Sequence, residues 1–423
     1  MKQVFQRSKT SSIPVHLRRS RWRAGSSPQG ETPLGSFTLI ELLVVIAILA
    51  ILAVAVVLVL NPVELIKESR DTTRLTDLAT LHKGLTFLQV DQPNASFGSS
   101  TTVYVSIPWI TTSSNCSNLG LPALPSGYAY GCAPTSTYQK TDGTGWIPVA
   151  FSSFSAGAPF SKLPVDPMNA TSTGLYYTYI PGGSWEMTAL MESAKRKMGG
   201  DKDSTSQDGG QYPELYETGS ALKYTPITRD HTLVGYWSFE EGSGNATSTD
   251  YSGNNNNGTW YGTSTHYGTG KVGTWAGSFN GSSDYVTFPS IDITGTDFTR
   301  SAWIYPKKSC YINDDAVRWF IFSTGRLRSS ANGDIDGSTG NITFNAWNFV
   351  VSVYINATQE LTNYVNGVQI SSGTAGDITS AIAFEYGKGL SAPEYFDGTI
   401  DDVRIYNRAL SAAEIQALYN VTQ

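Results

Sequence analysis

Cysteine, histidine and charged residues are all scarce in this sequence. The 423 residues include only three cysteines and four histidines, which leaves little material for a zinc ribbon or an iron–sulfur cluster. Charged residues make up 15% of the chain and the net charge is −6, which argues against a protein whose main partner is DNA or RNA. The hydrophobic fraction of 40% and the aromatic fraction of 12% are enough for two folded domains and argue against wholesale disorder.

Positive charge is concentrated at the N-terminus and is followed by a long apolar run. Residues 1–35 contain seven Lys or Arg and one acid, a net charge of 7 − 1 = +6, and residues 42–60 are nineteen consecutive apolar residues. A helix of that length spans nearly the hydrocarbon core of a bilayer, and the basic flank predicts that the rest of the chain faces outward. A cleavable secretory signal has a shorter apolar core and a small-residue cleavage site. A simple anchor does not explain Glu41, because a carboxylate in a membrane helix is costly.

The segment GSFTLIELLVVIAI, residues 35–48, resembles the processing signal of type IV prepilins and pseudopilins. The resemblance implies that a prepilin peptidase removes the leader, residues 1–35, and methylates the new N-terminus. It also implies that the helix over residues 36–60 is retained and packs among other pilin subunits in a helical filament, where Glu41 pairs with a neighbouring terminal amine. The family has Gly directly before Phe, whereas Ser36 lies between Gly35 and Phe37 here. Cleavage after Gly35 and cleavage after Ser36 both remain open.

The next part of the chain is typical of a pilin head. Leucines at helical spacing predict an amphipathic stalk helix over residues 61–92. Residues 93–218 are rich in Ser, Thr, Gly, Pro and aromatic residues and contain short strand-like pieces. A long helix followed by a small antiparallel sheet, an α+β arrangement, resembles pilin heads. The strand-like pieces are Thr102–Ile107, Gly145–Ala150, Leu175–Ile180 and Trp185–Leu190.

Two features inside this region are candidate structural sites. Because the resemblance implies export, Cys116 and Cys132 are expected to form a disulfide, with two free thiols as the alternative, and Cys310 is left over. Some pseudopilin heads hold calcium near their C-terminal loops, so a set of acidic residues in a Gly-rich loop is a calcium candidate; the alternative is a solvated loop. That set is Asp201, Asp203 and Asp208.

After a predicted linker over residues 219–231, the chain changes to short strands separated by Gly, Asn, Ser and Asp. Asn366-Gly367 predicts a hairpin turn, and Ser411 with Glu414 predicts a capping box that opens a short helix. Many short strands without helices between them predict a β-sandwich. Residues 232–423 resemble the laminin-G-like, concanavalin A-like jelly-roll family. The segments that carry this resemblance include VGYWSFEEG, SFNGSSDYV, SAWIYP, WNFV, YVNG and FDGTIDDVRIYNRALS.

The jelly-roll resemblance implies a binding module for a glycan or a protein, often with a structural calcium ion. The candidate calcium ligands in this domain are Asp250, Asn254, Asp401 and Asp402. The alternative is that these side chains make Asx turns and hydrogen bonds that close the sandwich. Trp260, Tyr261 and Trp275 lie in loop-like stretches where aromatic rings can stack on sugars, although most Trp residues of a sandwich belong to its core.

No enzymatic activity is predicted. Glycanases of the same fold need two carboxylates about 5 Å apart when they retain configuration, and their E-x-D-x-x-E strand signature is absent. The sequence also lacks G-x-S-x-G, HExxH and GxxxxGK[ST] motifs.

Together these features predict a minor or tip type IV pilin-like subunit of the bacterial cytoplasmic membrane. It would span that membrane once, with its C-terminal part outside, and then join a surface pilus or pseudopilus. Its jelly-roll domain would bind a glycan or a surface protein, with no nucleic acid partner. Two alternatives remain open: a pseudopilin of a type II secretion or DNA-uptake machine, and a membrane-anchored glycan hydrolase.

Overall fold

The computed structural model describes most of the chain from residue 38 onward. It covers residues 38–109, 116–155, 157–242, 244–263, 265–313, 317–379, 381–389 and 394–423, without the side chains of residues 55–60, 382 and 383. By internal packing the chain divides into two units, one ending at Leu60 and one comprising Asn61–Gln423.

The described part of the first unit is a single helix, α1, Leu39–Leu60. After Glu41 the helix consists only of Leu, Val, Ile and Ala, without Gly or Pro. Among the described residues, no helix is long and apolar enough to cross a membrane. The membrane span therefore stays a prediction from the sequence.

The second unit begins with the helix α2, Pro62–Asp91. The Asn61 side chain accepts a hydrogen bond from the Glu64 N–H at 3.4 Å. Pro62 occupies the first turn, where its missing N–H costs no helical hydrogen bond. One face of α2 is buried against the part of the chain that follows it, through Leu78, Leu81, Leu85 and Leu88.

A five-stranded sheet packs on α2, and together they form what we call the head, residues 61–219. The strands are β1 Thr102–Val105, β2 Ala129–Gly131, β3 Thr178–Pro181, β4 Trp185–Leu190 and β5 Leu215–Gly219. Their order is β2-β1-β3-β4-β5, with β1 and β2 parallel and the other pairs antiparallel.

The predicted strand at Gly145–Ala150 is wrong. This segment is irregular, although Trp146, Ile147 and Val149 are fully buried in the head core. The Trp146 indole N–H donates to the Pro164 carbonyl at 2.9 Å. Its apolar side chains are therefore buried without belonging to a strand.

Sixteen further strands and one helix form a β-sandwich, so the predicted order of an N-terminal helical part followed by a sandwich is confirmed. The strands are β6 Leu233–Trp237, β7 Thr247–Ser248, β8 Gly258–Tyr261, β9 Tyr267–Thr269, β10 Trp275–Asn280, β11 Tyr285–Ile291, β12 Phe298–Pro306, β13 Cys310–Asn313, β14 Val317–Ile321, β15 Leu327–Ala331, β16 Asp334–Asp336, β17 Asn348–Ile355, β18 Glu360–Val365, β19 Val368–Thr374, β20 Ile382–Tyr386 and β21 Asp397–Tyr406. The helix α3 is Ala412–Val421.

The strands form one large sheet and two smaller ones. The large sheet has the order β19-β18-β17-β12-β21-β10-β9, with β6 also paired to β21. The smaller sheets are β20-β11-β8-β7 and β13-β14-β15-β16. A core of large apolar side chains, including Trp237, Phe279, Phe288 and Trp319, lies between the large sheet and the smaller ones.

Local signals read from the sequence appear as predicted in two places. Asn366 and Gly367 have φ angles of 50° and 78° in the turn between β18 and β19, as a type I′ turn requires. At the start of α3, the Ser411 and Glu414 side chains form the reciprocal capping box.

Besides the head core and the sandwich core, the two parts share a further hydrophobic core. Met198, Tyr212 and Leu215 of the head pack in one cluster with sandwich residues such as Tyr236, Phe349 and Leu418. The predicted linker is part of this packed body, because Thr225, Ile227, Thr228 and Arg229 are at most 5% exposed. We call this shared core, together with residues 225–229, the junction.

Candidate functional site

The processing residues Gly35, Ser36 and Phe37 lie outside the described residues. Glu41 is described, and it lies in the first turn of α1. Its carboxylate accepts hydrogen bonds from the backbone N–H and the hydroxyl of Thr38, both at 2.8 Å. The side chain is exposed, and its pairing with a neighbouring terminal amine stays a prediction.

A buried ionic network fixes α2 to the head, and sequence reasoning missed it. Arg74 is fully buried and donates to Asp71 at 2.7 Å and to both carboxylate oxygens of Asp166 at 2.6 and 2.9 Å. Glu192 joins through Arg74 at 2.7 Å and Arg70 at 2.6 Å. Although burial raises the pKa of Glu192, the two guanidinium groups hold it below its usual range.

The first pair of calcium candidates in the sandwich is engaged by the protein itself. The Asp250 carboxylate accepts backbone N–H hydrogen bonds from Tyr236 at 3.0 Å, Ser252 at 2.9 Å and Asn256 at 2.8 Å. The Asn254 amide donates to the Leu233 carbonyl at 3.2 Å. These are the contacts of a turn, as the alternative to calcium predicted.

The second pair is also engaged by protein groups. Asp401 accepts from the backbone N–H groups of Lys271 at 2.7 Å, Val272 at 2.9 Å and Asp402 at 2.8 Å, while burial raises its pKa to about 8. Asp402 forms an ion pair with Arg404 at 3.2 Å. The Asp401 carboxylate thus links β21 to the turn between β9 and β10, and the Asp402 carboxylate pairs with a residue of β21 itself.

The acidic loop of the head shows the same pattern. Asp203 accepts backbone hydrogen bonds from Gly199 at 2.7 Å, Thr205 at 3.0 Å and Ser206 at 3.0 Å. Asp208 accepts from the Glu217 N–H at 2.6 Å, and burial raises the pKa of Asp208 to about 7. Asp201 is exposed. Each of the three acids therefore has a different environment, although Asp203 and Asp208 line one cavity.

The residues present do not fit a calcium ion. Within the described ranges, no group of three or more His, Cys, Asp or Glu side chains could hold a metal. Calcium needs six to eight oxygen ligands around one centre, whereas every candidate carboxylate except the exposed Asp201 already accepts hydrogen bonds from backbone N–H groups or pairs with Arg404. We derive no role for the protein through this ion.

The three cysteines occupy two kinds of environment. Cys116 and Cys132 are joined by a disulfide that closes a segment of sequence separation 16. Cys310 is a buried free thiol at the start of β13. Burial raises its pKa to about 12, so it remains protonated and unreactive at neutral pH.

The aromatic candidates are on strands and not in loops, which corrects the sequence interpretation. Trp260 on β8 is 5% exposed and belongs to the sandwich core, and Trp275 on β10 packs against the same core. Tyr261, the next residue on β8, is 45% exposed. Because successive side chains of a strand point to opposite faces, Tyr261 points outward where Trp260 points inward.

A crevice of about 510 Å³ lies between the head and the sandwich and is lined by Tyr212, Tyr236 and Tyr251. Arg404 and Glu240, two of the charged residues that line it, are already engaged by the protein. Arg404 donates to Glu214 at 3.0 Å and pairs with Asp402, and Glu240 accepts from the backbone at the start of β10. The crevice therefore belongs to the structural contact between the two parts.

Two parts of the chain match known protein families. Residues 35–57 match the family model described as the prokaryotic N-terminal methylation motif. Residues 280–416 match the model described as the concanavalin A-like lectin/glucanases superfamily. The comparison with curated proteins gave no match.

Three solved structures similar to this chain each cover less than half of it. Domain 4 of AbnA, a GH43 extracellular arabinanase from Geobacillus stearothermophilus, in complex with arabinotriose, is 22% identical over 45% of this chain and 98% of its own, with a TM-score of 0.38. The binding domain of Paraclostridial Mosquitocidal Protein 1 is 20% identical over 45% of this chain and 52% of its own, with a TM-score of 0.36. Trypanosoma rangeli sialidase is 16% identical over 44% of this chain and 32% of its own, with a TM-score of 0.35. The chain thus joins a segment similar to the N-terminal methylation motif to a domain similar to the concanavalin A-like superfamily.

Proposed function

We propose that this protein is a type IV pilin-like subunit, minor or at the filament tip, whose sandwich adheres to a glycan or a surface protein. One observation carries the proposal: a chain with the methylation motif at residues 35–57 continues into a helix-bearing head that shares a hydrophobic core with a lectin-like sandwich. The motif implies processing by a prepilin peptidase, insertion into the cytoplasmic membrane and assembly with other pilins.

The outer face of α2 supports assembly. Its middle carries exposed threonines whose hydroxyls donate to the carbonyl four residues earlier, so these hydroxyls are satisfied within the helix. Exposed apolar side chains flank this stretch at both ends of the helix. The threonines are Thr72, Thr73, Thr76 and Thr80, and the apolar residues are Leu65, Ile66, Phe87 and Val90. The face also carries one exposed charge, Lys83, and a helix face with so few charges suits packing against another helix.

The size of the sandwich supports a minor or tip position. Residues 232–423 add a complete sandwich to the head, and the junction fixes it there. A filament built from this subunit alone would have to accommodate that volume at every position. We infer that the sandwich acts by binding and not by catalysis, since the sequence lacks the E-x-D-x-x-E signature of glycanases with this fold.

The test is immunogold labelling of filaments purified from the native cell, with antibody against residues 61–423. Sparse or terminal label supports the proposal, whereas equal density along the filaments contradicts the minor or tip role. Absence from surface filaments, with the protein processed and retained at the membrane, would favour a pseudopilin. N-terminal sequencing of the mature protein decides between cleavage after Gly35 and after Ser36. Release of sugar from a glycan panel would contradict the non-catalytic role.

A further inference from the structure

The two outer faces of the sandwich differ in what covers them. On the large sheet, Trp303, Phe349 and Val351 are buried beneath α3 and the head residues Met198 and Leu215. That part of the large sheet is already used inside the protein. The opposite outer face, on the small sheet β20-β11-β8-β7, carries exposed and half-exposed side chains.

The side chains on this second face are aligned in two rows by the strand register. One row places Tyr261 beside Tyr285. The other row runs across all four strands, because Thr247 pairs with Thr259, Thr259 with Thr287, and Thr287 with Glu385. Since neighbouring strands lie about 4.8 Å apart, the second row is roughly 14 Å long. We call Tyr261, Tyr285, Thr247, Thr259 and Thr287 the tyrosine–threonine face.

The two tyrosines form a small aromatic platform. Their rings are stacked, with centroids 4.8 Å apart and planes inclined by 9°. The Lys388 ammonium lies 4.6 Å from the centroid of the Tyr285 ring. β7 begins level with Thr259, and the Tyr261 side chain, on the far side of the stack from Tyr285, is 45% exposed.

A second aromatic cluster on the other small sheet is less available. There the Phe322 ring is covered by the guanidinium groups of Arg326 at 3.9 Å and Arg328 at 4.9 Å. Arg328 is in turn paired with Asp334 and Asp336. Two arginine side chains therefore cover the Phe322 ring, whereas the Tyr261 ring has an exposed side.

The polar groups of the tyrosine–threonine face suit a ligand with many hydroxyl groups. Across the described ranges, no hydrogen bond or ion pair engages the side chains of Thr259, Thr287 or Glu385. A hydroxyl both donates and accepts, and a carboxylate accepts, so a row of these groups can bond the hydroxyls of a sugar. The apolar C–H face of a sugar ring can in turn pack on an exposed tyrosine ring, whose face is the negative side of its quadrupole.

The charge on this face decides between classes of glycan. Glu385 and Lys388 contribute one negative and one positive charge at its edge, a sum of zero. A carboxylate directly in the threonine row disfavours a sugar that carries carboxylate or sulfate groups, because like charges repel. A neutral glycan matches the face in charge and in hydrogen bonding.

We propose that the tyrosine–threonine face binds a neutral glycan, with Tyr261 stacking on a sugar ring and the threonine row and Glu385 bonding its hydroxyls. This inference rests on the proposed adhesive function and names its site and ligand class. It places the bound glycan on the sandwich face that the head and α3 leave uncovered.

The test uses residues 61–423, which form a packed unit of their own. The fragment is run in native gels that contain a neutral polysaccharide (arabinan, galactomannan or dextran) or an acidic one (polygalacturonate or alginate). We expect retardation by at least one neutral polysaccharide. Tyr261→Ala should weaken that affinity about fivefold or more, since an aromatic contact contributes about 1 kcal/mol. Thr259→Val, which keeps the shape and removes the hydroxyl, should weaken it as well.

The matched control is Tyr128→Ala, which removes a tyrosine of the head that is 38% exposed and should leave retardation unchanged. Equal unfolding midpoints of the variants exclude a loss of fold. Binding by wild type that Tyr261→Ala and Thr259→Val do not weaken would overturn the site while the adhesive function stands. Retardation by acidic polysaccharides alone, or by none of the probes, would overturn the neutral-glycan class. Filament labelling tests the proposed assembly separately from either result.

Discussion

Replacing Leu215 with alanine tests whether the head and the sandwich unfold as one body. Leu215 belongs to β5 of the head and is fully buried in the shared core with Tyr236 of β6 and Leu418 of α3. The substitution removes three buried carbon atoms and leaves a cavity, so it should lower the free energy of unfolding by about 2–5 kcal/mol. Because the cavity touches both parts, both parts should lose stability together.

The assay is urea unfolding of residues 61–423, followed by two signals. Tryptophan fluorescence reports mainly the sandwich, where six of the ten tryptophans of the chain lie between residues 237 and 347. Far-ultraviolet circular dichroism reports mainly α2, the long helix of the head. In the wild type the two midpoints should coincide, and in Leu215→Ala both should move to lower urea by the same amount.

The control is the same substitution at Leu65, a leucine of α2 that is 52% exposed. Leu65→Ala should change the free energy of unfolding by no more than about 0.5 kcal/mol. Two separate transitions in the wild type, or a Leu215→Ala variant in which only the helix signal moves, would refute the view that the head and the sandwich share one cooperative core.

Three further outcomes are expected for the same fragment. Reduction of the Cys116–Cys132 disulfide should lower the free energy of unfolding by about 3 kcal/mol, as expected for a closed loop of separation 16. Urea unfolding with and without reductant measures this loss, and an unchanged midpoint would contradict the expected stabilisation by the disulfide. Burial raises the pKa of Asp208 to about 7, above its value of about 3.9 in the unfolded chain. The folded state therefore binds more protons, and stability should fall as pH rises from about 4 to about 7. The free energy of unfolding of Asp208→Asn should fall less over that pH range. An equal fall in the variant and the wild type would reject Asp208 as the source of the pH dependence. Since the described carboxylates form no metal-holding group, adding EDTA should leave Tm unchanged, and a clear drop would show a bound ion.

The features that the sequence predicted are those set by neighbouring residues. The leucine spacing located α2, Asn366-Gly367 located a hairpin, and Ser411 located the start of α3. Each depends on side chains within about one turn of each other, so a single stretch of sequence holds the necessary information.

The features that were missed depend on distant partners. Arg74 meets Asp166 across 92 positions of sequence, and Arg404 meets Glu214 across 190, and no local pattern announces such pairs. The contacts of the calcium candidates also become visible only in the folded chain. Backbone N–H groups of Tyr236, Ser252 and Asn256 donate to the Asp250 carboxylate, and residue type alone does not reveal these contacts.

The aromatic candidates show a third limit. Trp260 and Tyr261 lie among Gly, Asn, Thr and Ser, whose composition predicts loops, yet they occupy a strand. Pairing with β11 holds that short strand in place, and only the register distinguishes a buried tryptophan from the exposed tyrosine next to it.

The junction has a mechanical consequence for the protein under load. A flexible linker extends before tension reaches the folded parts on either side. Here residues 225–229 are buried and Arg404 of β21 is bonded to Glu214 of the head, so a pull on the sandwich reaches the head at once. The junction also joins the sandwich to the head that carries α2. A rotation of α2 about its axis should therefore rotate the sandwich with it.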